Sequence, residues 1–253
     1  MISIMTLIFV LQEPSKVVID KATKTRSQDK TTSIIIRGGL SRQWQDWLPL
    51  SSANLRQAEL ETAVVDGKAL SALSRFSKLE RLELVAPPAK VVAAVLPTMH
   101  SIEHLTLHRC DCEGDIFNWI RTHQRLSHLT VSNCGPIAST SGLRNLSKLE
   151  EVSLATRKGL SRHALFGLTK CPKLKYLALS CSTIGKNNAR HISRMDRLEV
   201  ILRTRCGTLE ELEAMCSSRT LRRVILAETR LDDSSIMFLR NKWPSIRFMP
   251  LND

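Results

Sequence analysis

Five of the seven histidines of this 253-residue chain lie between His100 and His128. Imidazoles bunched in this way could ligate a metal, carry protons or sense pH. One string, His100-Ser101-Ile102-Glu103-His104, formally matches H-x-x-E-H, a metalloprotease pattern that works only with both histidines on one face of a helix and the glutamate as general base. Cys110 and Cys112 make a C-x-C, which without a second Cys/His pair at zinc-finger spacing is a weak metal signal. Lys186, Arg190 and Arg194 recur at i, i+4 and i+8, with Arg197 just beyond, a spacing that puts them on one helical face and could hold phosphates. Gly67-Lys68 and Gly185-Lys186 lack the upstream glycine of a phosphate loop, and neither G-x-S-x-G nor a paired-glycine dinucleotide fingerprint occurs. Each of these patterns depends on the elements that carry it.

Those elements follow from an internal repeat. The phrase L-x-x-L-x-L is clearest as LERLEL (Leu79), IEHLTL (Ile102), LSHLTV (Leu126), LEEVSL (Leu149), LKYLAL (Leu174) and LRRVIL (Leu221). Degenerate copies begin at Leu55, Leu198 and Ile246, and a tenth at Thr31. Successive copies start 23 to 25 residues apart. Alternation within the phrase marks a short strand with its Leu side chains on one face, and no single strand can bury them alone. Stacked in parallel, the strands share a continuous core, and the intervening residues return on the outside. Helix starts fall in those return segments: Thr208 with Glu211 as a capping box, Asp115, Ser161 and Asp232.

The phrase at this period resembles the leucine-rich repeat family. The ninth position, where that family places Asn or Cys to hydrogen-bond the turn leaving the strand, is Cys110, Cys134 and Cys206 in three units and Thr229 in a fourth. Cys171-Pro172-Lys173-Leu174 matches the lead-in of its cysteine-containing class, and Thr229 to Leu239 looks like a bacterial or cysteine-containing unit. The resemblance covers residues 31–253. It implies a single α/β domain, a right-handed solenoid of nine or ten units with a parallel concave sheet and short convex helices, similar to ribonuclease-inhibitor-like repeats. It also implies a protein-binding role, and it says almost nothing about activity.

In this register Ile102 and Leu105 are core positions, so His100 to His104 enters a strand and the metalloprotease match is coincidence. His104 and His128 become lateral neighbours, ~4.8 Å apart at the backbone, with His108 ~13 Å along the strand. Two convergent imidazoles fall short of the three or four ligands of a zinc site, and polar surface is the favoured reading. The third, fifth and seventh positions face the concave side. They supply Arg81, Glu83, His104, Thr106, His108, His128, Thr130 and Glu151 in the early units, and Tyr176, Val200, Leu202, Arg223 and Ile225 in the later ones, with Phe248 as the last third-position residue. The late cluster is either a contact patch or a face covered by a terminal segment. Arg203 breaks the pattern by standing at a sixth, inward position. An unpaired buried guanidinium costs several kcal/mol, so a local bulge that turns Val200 and Leu202 inward is expected, the alternative being that Arg203 reaches a carboxylate or solvent.

Hydrophobic residues at 43% and charged residues at 24% exclude wholesale disorder, and aromatics at 4% leave the core to aliphatic side chains. The formal net charge is +13, and Arg157 to Arg247 holds 19 basic against 8 acidic residues. A solvated face is the favoured reading of that surplus; nucleic acid, anionic lipid or an acidic protein is the alternative. Seven cysteines, an odd number, read as small buried hydrophobes and favour a reducing compartment. Met1 to Leu11 is apolar like the core of a signal peptide but lacks a preceding cation and an A-x-A site, so residues 1–30 are expected to be an N-terminal cap and polar linker, with export as the alternative. Asn145-Leu146-Ser147 is a glycosylation sequon, relevant only to an exported eukaryotic chain. Cysteine-containing repeats often sit behind an F-box, which raises a degradation adaptor as a further reading; WQDWLPL (44–50) is a poor fragment of one. The expectation is a non-enzymatic module that binds a protein partner on its concave face, with no cofactor, metal or catalytic residue assigned.

Overall fold

A computed structural model describes residues 16–19, 33–37, 55–61, 73–110, 116–157, 159–204, 208–228 and 231–251. Eleven strands form one sheet in strict sequence order, every neighbouring pair parallel: β1 Lys16–Ile19, β2 Ser33–Arg37, β3 Gln57–Glu61, β4 Arg81–Val85, β5 His104–His108, β6 His128–Ser132, β7 Glu151–Ala155, β8 Tyr176–Ser180, β9 Val200–Thr204, β10 Arg223–Ala227 and β11 Arg247–Leu251. The sheet therefore begins one strand before the first copy of the repeat phrase. The convex returns are α1 Ala89–Val95, α2 Ile116–Trp119, α3 Gly185–Ser193, α4 Leu209–Cys216 and α5 Asp233–Lys242, with 3-10 turns at Leu96–Thr98, Ser141–Leu143 and Phe166–Lys170.

Register follows the repeat. Leu82, Leu105, Leu129, Val152, Leu177, Ile201 and Val224 align across successive strands and belong to one buried cluster, as do Leu84, Leu107, Val131, Leu154, Leu179 and Leu226. Such a core is a line rather than a ball, and each unit buries its leucines only because its neighbours are present.

The chain leaves several strands through one kind of turn. Ala86, Arg109, Asn133 and Glu228 each follow a strand directly and hold φ between 48° and 55°. This left-handed conformation is disfavoured for L-residues, and the lateral ladder holds it in place. The amides of Ala86, Arg109 and Asn133 bond forward to the last carbonyl of the next strand, at 2.7, 2.9 and 2.9 Å. Beyond that turn sits the ninth-position cysteine. Cys134 Sγ donates toward Leu107 O and Ser132 O and accepts from the Cys110 amide at 3.3 Å, so a thiol holds the turn from inside. Cys206 and Thr229 lie outside the described residues.

Two close approaches shape the convex side. A Cβ on Gly142 would lie 2.1 Å from the Phe117 carbonyl oxygen, and one on Gly167 1.9 Å from that of Thr140. Both glycines sit in 3-10 turns, where the bare Cα lets one unit's return pack on the backbone of the unit before it.

Four expectations need correction. Arg203 does not cause a bulge: it pairs in regular register with Leu179 and Leu226 and is fully buried, facing the core. Its Nη1 donates to the carbonyls of Leu179, Cys181 and Thr204, and its Nη2 lies 4.0 Å from Glu211 Oε2. Thr208 caps α4 as expected by accepting from the Glu211 amide, but the Glu211 carboxylate does not close the box; its Oε1 accepts from the amides of Ile184 and Gly185 at the start of α3. Ser161 opens a turn and then the 3-10 segment, not a helix, whereas Asp232 caps α5 through the Ser235 amide. In the last unit Arg247, not Phe248, aligns with Arg223, so Phe248 takes the inward fourth position and is buried.

Candidate functional site

The concave wall is a grid whose rows run across the strands. Row three reads Arg81, His104, His128, Glu151, Tyr176, Val200, Arg223 and Arg247; row five reads Glu83, Thr106, Thr130, Ser153, Ala178, Leu202, Ile225 and Met249. Apart from Phe248, every concave residue singled out from the sequence lies on this wall, half-buried or exposed.

The N-terminal half of the grid is polar. The His104 and His128 rings stack at 4.1 Å between centroids and 18° between planes. His128 Nε2 faces Glu151 Oε1 at 3.5 Å, and its Nδ1 shares a 2.8 Å hydrogen bond with Ser127 Oγ. Burial, with the charges of His128 and Arg81 beside it, pushes His104 down to about 4. His104 thus packs as a neutral ring near neutral pH. Burial also lowers His108, with Arg109 adding to the effect.

Around His108 lies a contact the repeat reading did not anticipate. Its Nδ1 bonds Ser132 Oγ, and its Nε2 stands 3.6 Å from Glu83 Oε1. These are the residue types of a charge-relay triad. However, Ser132 is only 4% exposed, and the carboxylate stands beyond hydrogen-bonding distance. The trio ties three strands together and presents no accessible nucleophile. The clue in the sequence was the pair His108 and Ser132 at the same seventh position of adjacent units.

The C-terminal half is apolar. Tyr176, Val200, Leu202 and Ile225 are half-exposed, and Met249 extends the patch at 46% exposure. Exposed Glu151 borders it on one side, and exposed Arg223 and Arg247 on the other. Burial and then Glu151 raise the Tyr176 phenol, so it remains a neutral donor over the physiological range.

On the convex side Lys186 and Arg190 lie exposed on α3, while Arg194 and Arg197 lie exposed in the turn that follows it into β9. The bunched histidines part company: His123 is buried in the core with Nδ1 on Ile120 O, and a separate pair, His163 and His191, meets at 3.1 Å on the convex side. No group of three or more His, Cys, Asp or Glu side chains is placed to hold a metal ion among the described residues. Cys112 and the 44–50 segment lie outside them. No described helix is long and apolar enough to cross a membrane.

No family model and no curated protein matches the sequence. Among solved structures the chain is similar to internalin C2 of Listeria monocytogenes, at 18% identity and a TM-score of 0.54, over 78% of this chain and 81% of that one. It is also similar to internalin InlF of the same organism, at 16% identity and a TM-score of 0.49, over 89% of this chain and 75% of that one. At such identity the likeness to internalin C2 concerns the fold, and with the continuous parallel sheet it makes this chain an α/β leucine-rich repeat solenoid.

Proposed function

We propose that the chain is a non-enzymatic interaction module that takes a protein partner on its concave wall, centred on Tyr176, Val200, Leu202 and Ile225. The observation that carries this reading is the half-exposed apolar patch on a rigid sheet, bordered by Glu151 on one side and by Arg223 and Arg247 on the other. Apolar side chains held in fixed positions inside a charged rim are the usual composition of an interface centre. The stacked His104–His128 pair and Arg81 extend the same wall and supply directional polar contacts at its edge.

Cross-linking capture from a cell extract tests it with three forms of the intact protein: unmodified, Tyr176→Glu with Leu202→Glu, and a convex control, Lys90→Glu with Arg162→Glu. A specific partner should be recovered by the unmodified and control forms and lost from the concave variant. Equal recovery by all three, or recovery of nothing by the unmodified form, would overturn the reading.

A further inference from the structure

The turns that lead into the strands carry recurring cations. In three consecutive units the same pair of i to i+3 bonds closes the turn: Leu146 N to Leu143 O then Leu149 N to Leu146 O, Cys171 N to Leu168 O then Leu174 N to Cys171 O, and Met195 N to Ile192 O then Leu198 N to Met195 O. The residue in the middle of each turn is buried, and two exposed basic side chains flank it: Arg144 and Lys148, Lys170 and Lys173, Arg194 and Arg197. Because the strands are parallel and in register, these turns share one flank of the stack. Lys148, Lys173 and Arg197 therefore form one column, stepped by one repeat, about 5 Å at the sheet, and Lys170 and Arg194, with Arg144 one residue further from its strand, form a looser second column beside it.

Two nearby cations on this flank are already engaged, Arg125 with Glu103 and Lys175 with Glu150. None of the six has an ion-pair partner among the described residues, and Asp196 and Glu199 beside them leave a surplus of four positive charges. The array thus cuts across the helical stripe read from the sequence. It shares Arg194 and Arg197 with that stripe but runs along the flank instead of around the helix.

We propose that this flank docks peripherally on an anionic lipid surface. The flank of a solenoid is flat, so a planar layer of headgroup phosphates and carboxylates can meet both columns at once. A nucleic-acid duplex is read by a helix or ribbon that enters a groove, and these short turns offer neither. A single strand is held by a groove with aromatic side chains between the cations, and no aromatic residue interrupts 144–148, 170–173 or 194–197. Those segments also present no exposed large apolar side chain for insertion, so the attachment is electrostatic, reversible and weakened by salt.

Co-sedimentation of the full chain with vesicles of phosphatidylcholine and about one-third phosphatidylserine, across a salt series, tests this. Binding is expected at low salt, lost at high salt, and absent on pure phosphatidylcholine. A cation near such a surface contributes about fivefold in affinity, so the triple variant Lys148→Glu, Lys173→Glu, Arg197→Glu should bind at least about 100-fold more weakly. A control with the same change in net charge, Lys90→Glu, Arg162→Glu, Lys186→Glu on the convex side, should stay within about threefold. Should the triple variant not fold, Lys173→Glu alone carries the test, with about a fivefold loss expected. Absence of vesicle binding by the unmodified chain, an equal loss in the control, or tight binding to a DNA duplex without binding to vesicles would each overturn the proposal.

Discussion

Units around β5 and β6 and units around β8 and β9 solve the same problem with opposite chemistry. Around β6 the inward positions are Leu129 and Val131, and Cys134 reaches the Leu107 carbonyl from within. At β9 the corresponding positions are Ile201 and Arg203, and a single guanidinium nitrogen collects three carbonyls, from Leu179, Cys181 and Thr204. The backbone is regular in both. The solenoid therefore does not require an apolar side chain at the sixth position; it requires one that leaves no carbonyl of the turn unpaired, and the ladder register outlasts the substitution. The first solution is dry and tolerant. The second also draws in Glu211, whose Oε1 accepts from the start of α3 while its Oε2 stands 4.0 Å from Arg203 Nη2, so that two returns and two strands meet at one buried charged cluster.

Breaking that cluster should produce the largest effect. Arg203→Ala leaves Glu211 buried without its counter-charge and frees three carbonyls, a loss of about 3–5 kcal/mol. In Arg203→Leu with Glu211→Gln, the uncompensated charge is gone and the amide oxygen still accepts from Ile184 and Gly185. The double variant should therefore be more stable than Arg203→Leu alone by about 1–2 kcal/mol. Urea unfolding decides this, and additive losses in the double variant would mean that the pair is not coupled.

The dry region gives the matching figure. Leu129 is 1% exposed within a column of leucines, and Leu129→Ala should cost about 3 kcal/mol through lost burial and a cavity. The cost falls on the adjoining units, because each unit's core is completed by its neighbours. A midpoint in urea within error of the unmodified protein would show that the column is less tightly shared than its burial indicates.

Much of this was legible in the sequence, because a repeat converts one pattern into ten nearly independent observations. Leu82, Leu105, Leu129 and Leu177 had to align for any of them to be buried, and that constraint also placed His104 against His128. The misses lie where a side chain answers to a partner outside its own unit. Arg203 looked too costly as a buried cation because two of its three acceptor carbonyls, those of Leu179 and Cys181, lie one repeat away and its carboxylate neighbour, Glu211, lies in the return after β9. Glu211 completed a local capping box in the sequence, yet in three dimensions its carboxylate accepts instead from the amides of Ile184 and Gly185 at the start of α3. Phe248 was misplaced by one residue because Ile246 is also apolar, and two neighbouring apolar residues give periodicity nothing to choose between. The concave grid was readable by position, but the chemistry between its members, such as Ser132 beside His108, depends on rotamers that spacing does not encode.

A subtler difference lies in the ninth-position thiols. Cys134→Ala removes a weak acceptor and donor and should cost about 1 kcal/mol, well below the Arg203 variants. The sharper readout is local: the Cys110 amide, which donates to Cys134 Sγ at 3.3 Å, should exchange its hydrogen faster while amides around β9 keep their rates. Uniform acceleration throughout the sheet would mean that the thiol acts through packing alone.

The smallest effect separates the two regions by pH. His104 holds its proton in the folded chain only near pH 4, against 6.5 when unfolded, first because it is partly buried and then because His128 and Arg81 face it; Glu103 opposes them. Between those values the unfolded chain binds a proton that the folded chain refuses, so stability is complete above 6.5 and declines as pH falls toward 4. His108, also lowered, adds to the decline in the same direction. The His104 ring is partly exposed, and solvent screening holds its share to about 1 kcal/mol or less. His104→Gln should flatten part of that slope, seen as a smaller drop in urea midpoint between pH 7 and 4.5. If His104→Gln left the slope unchanged, the stacked imidazole would be protonated as readily in the fold as out of it, and the wall around it would be wetter than its packing implies.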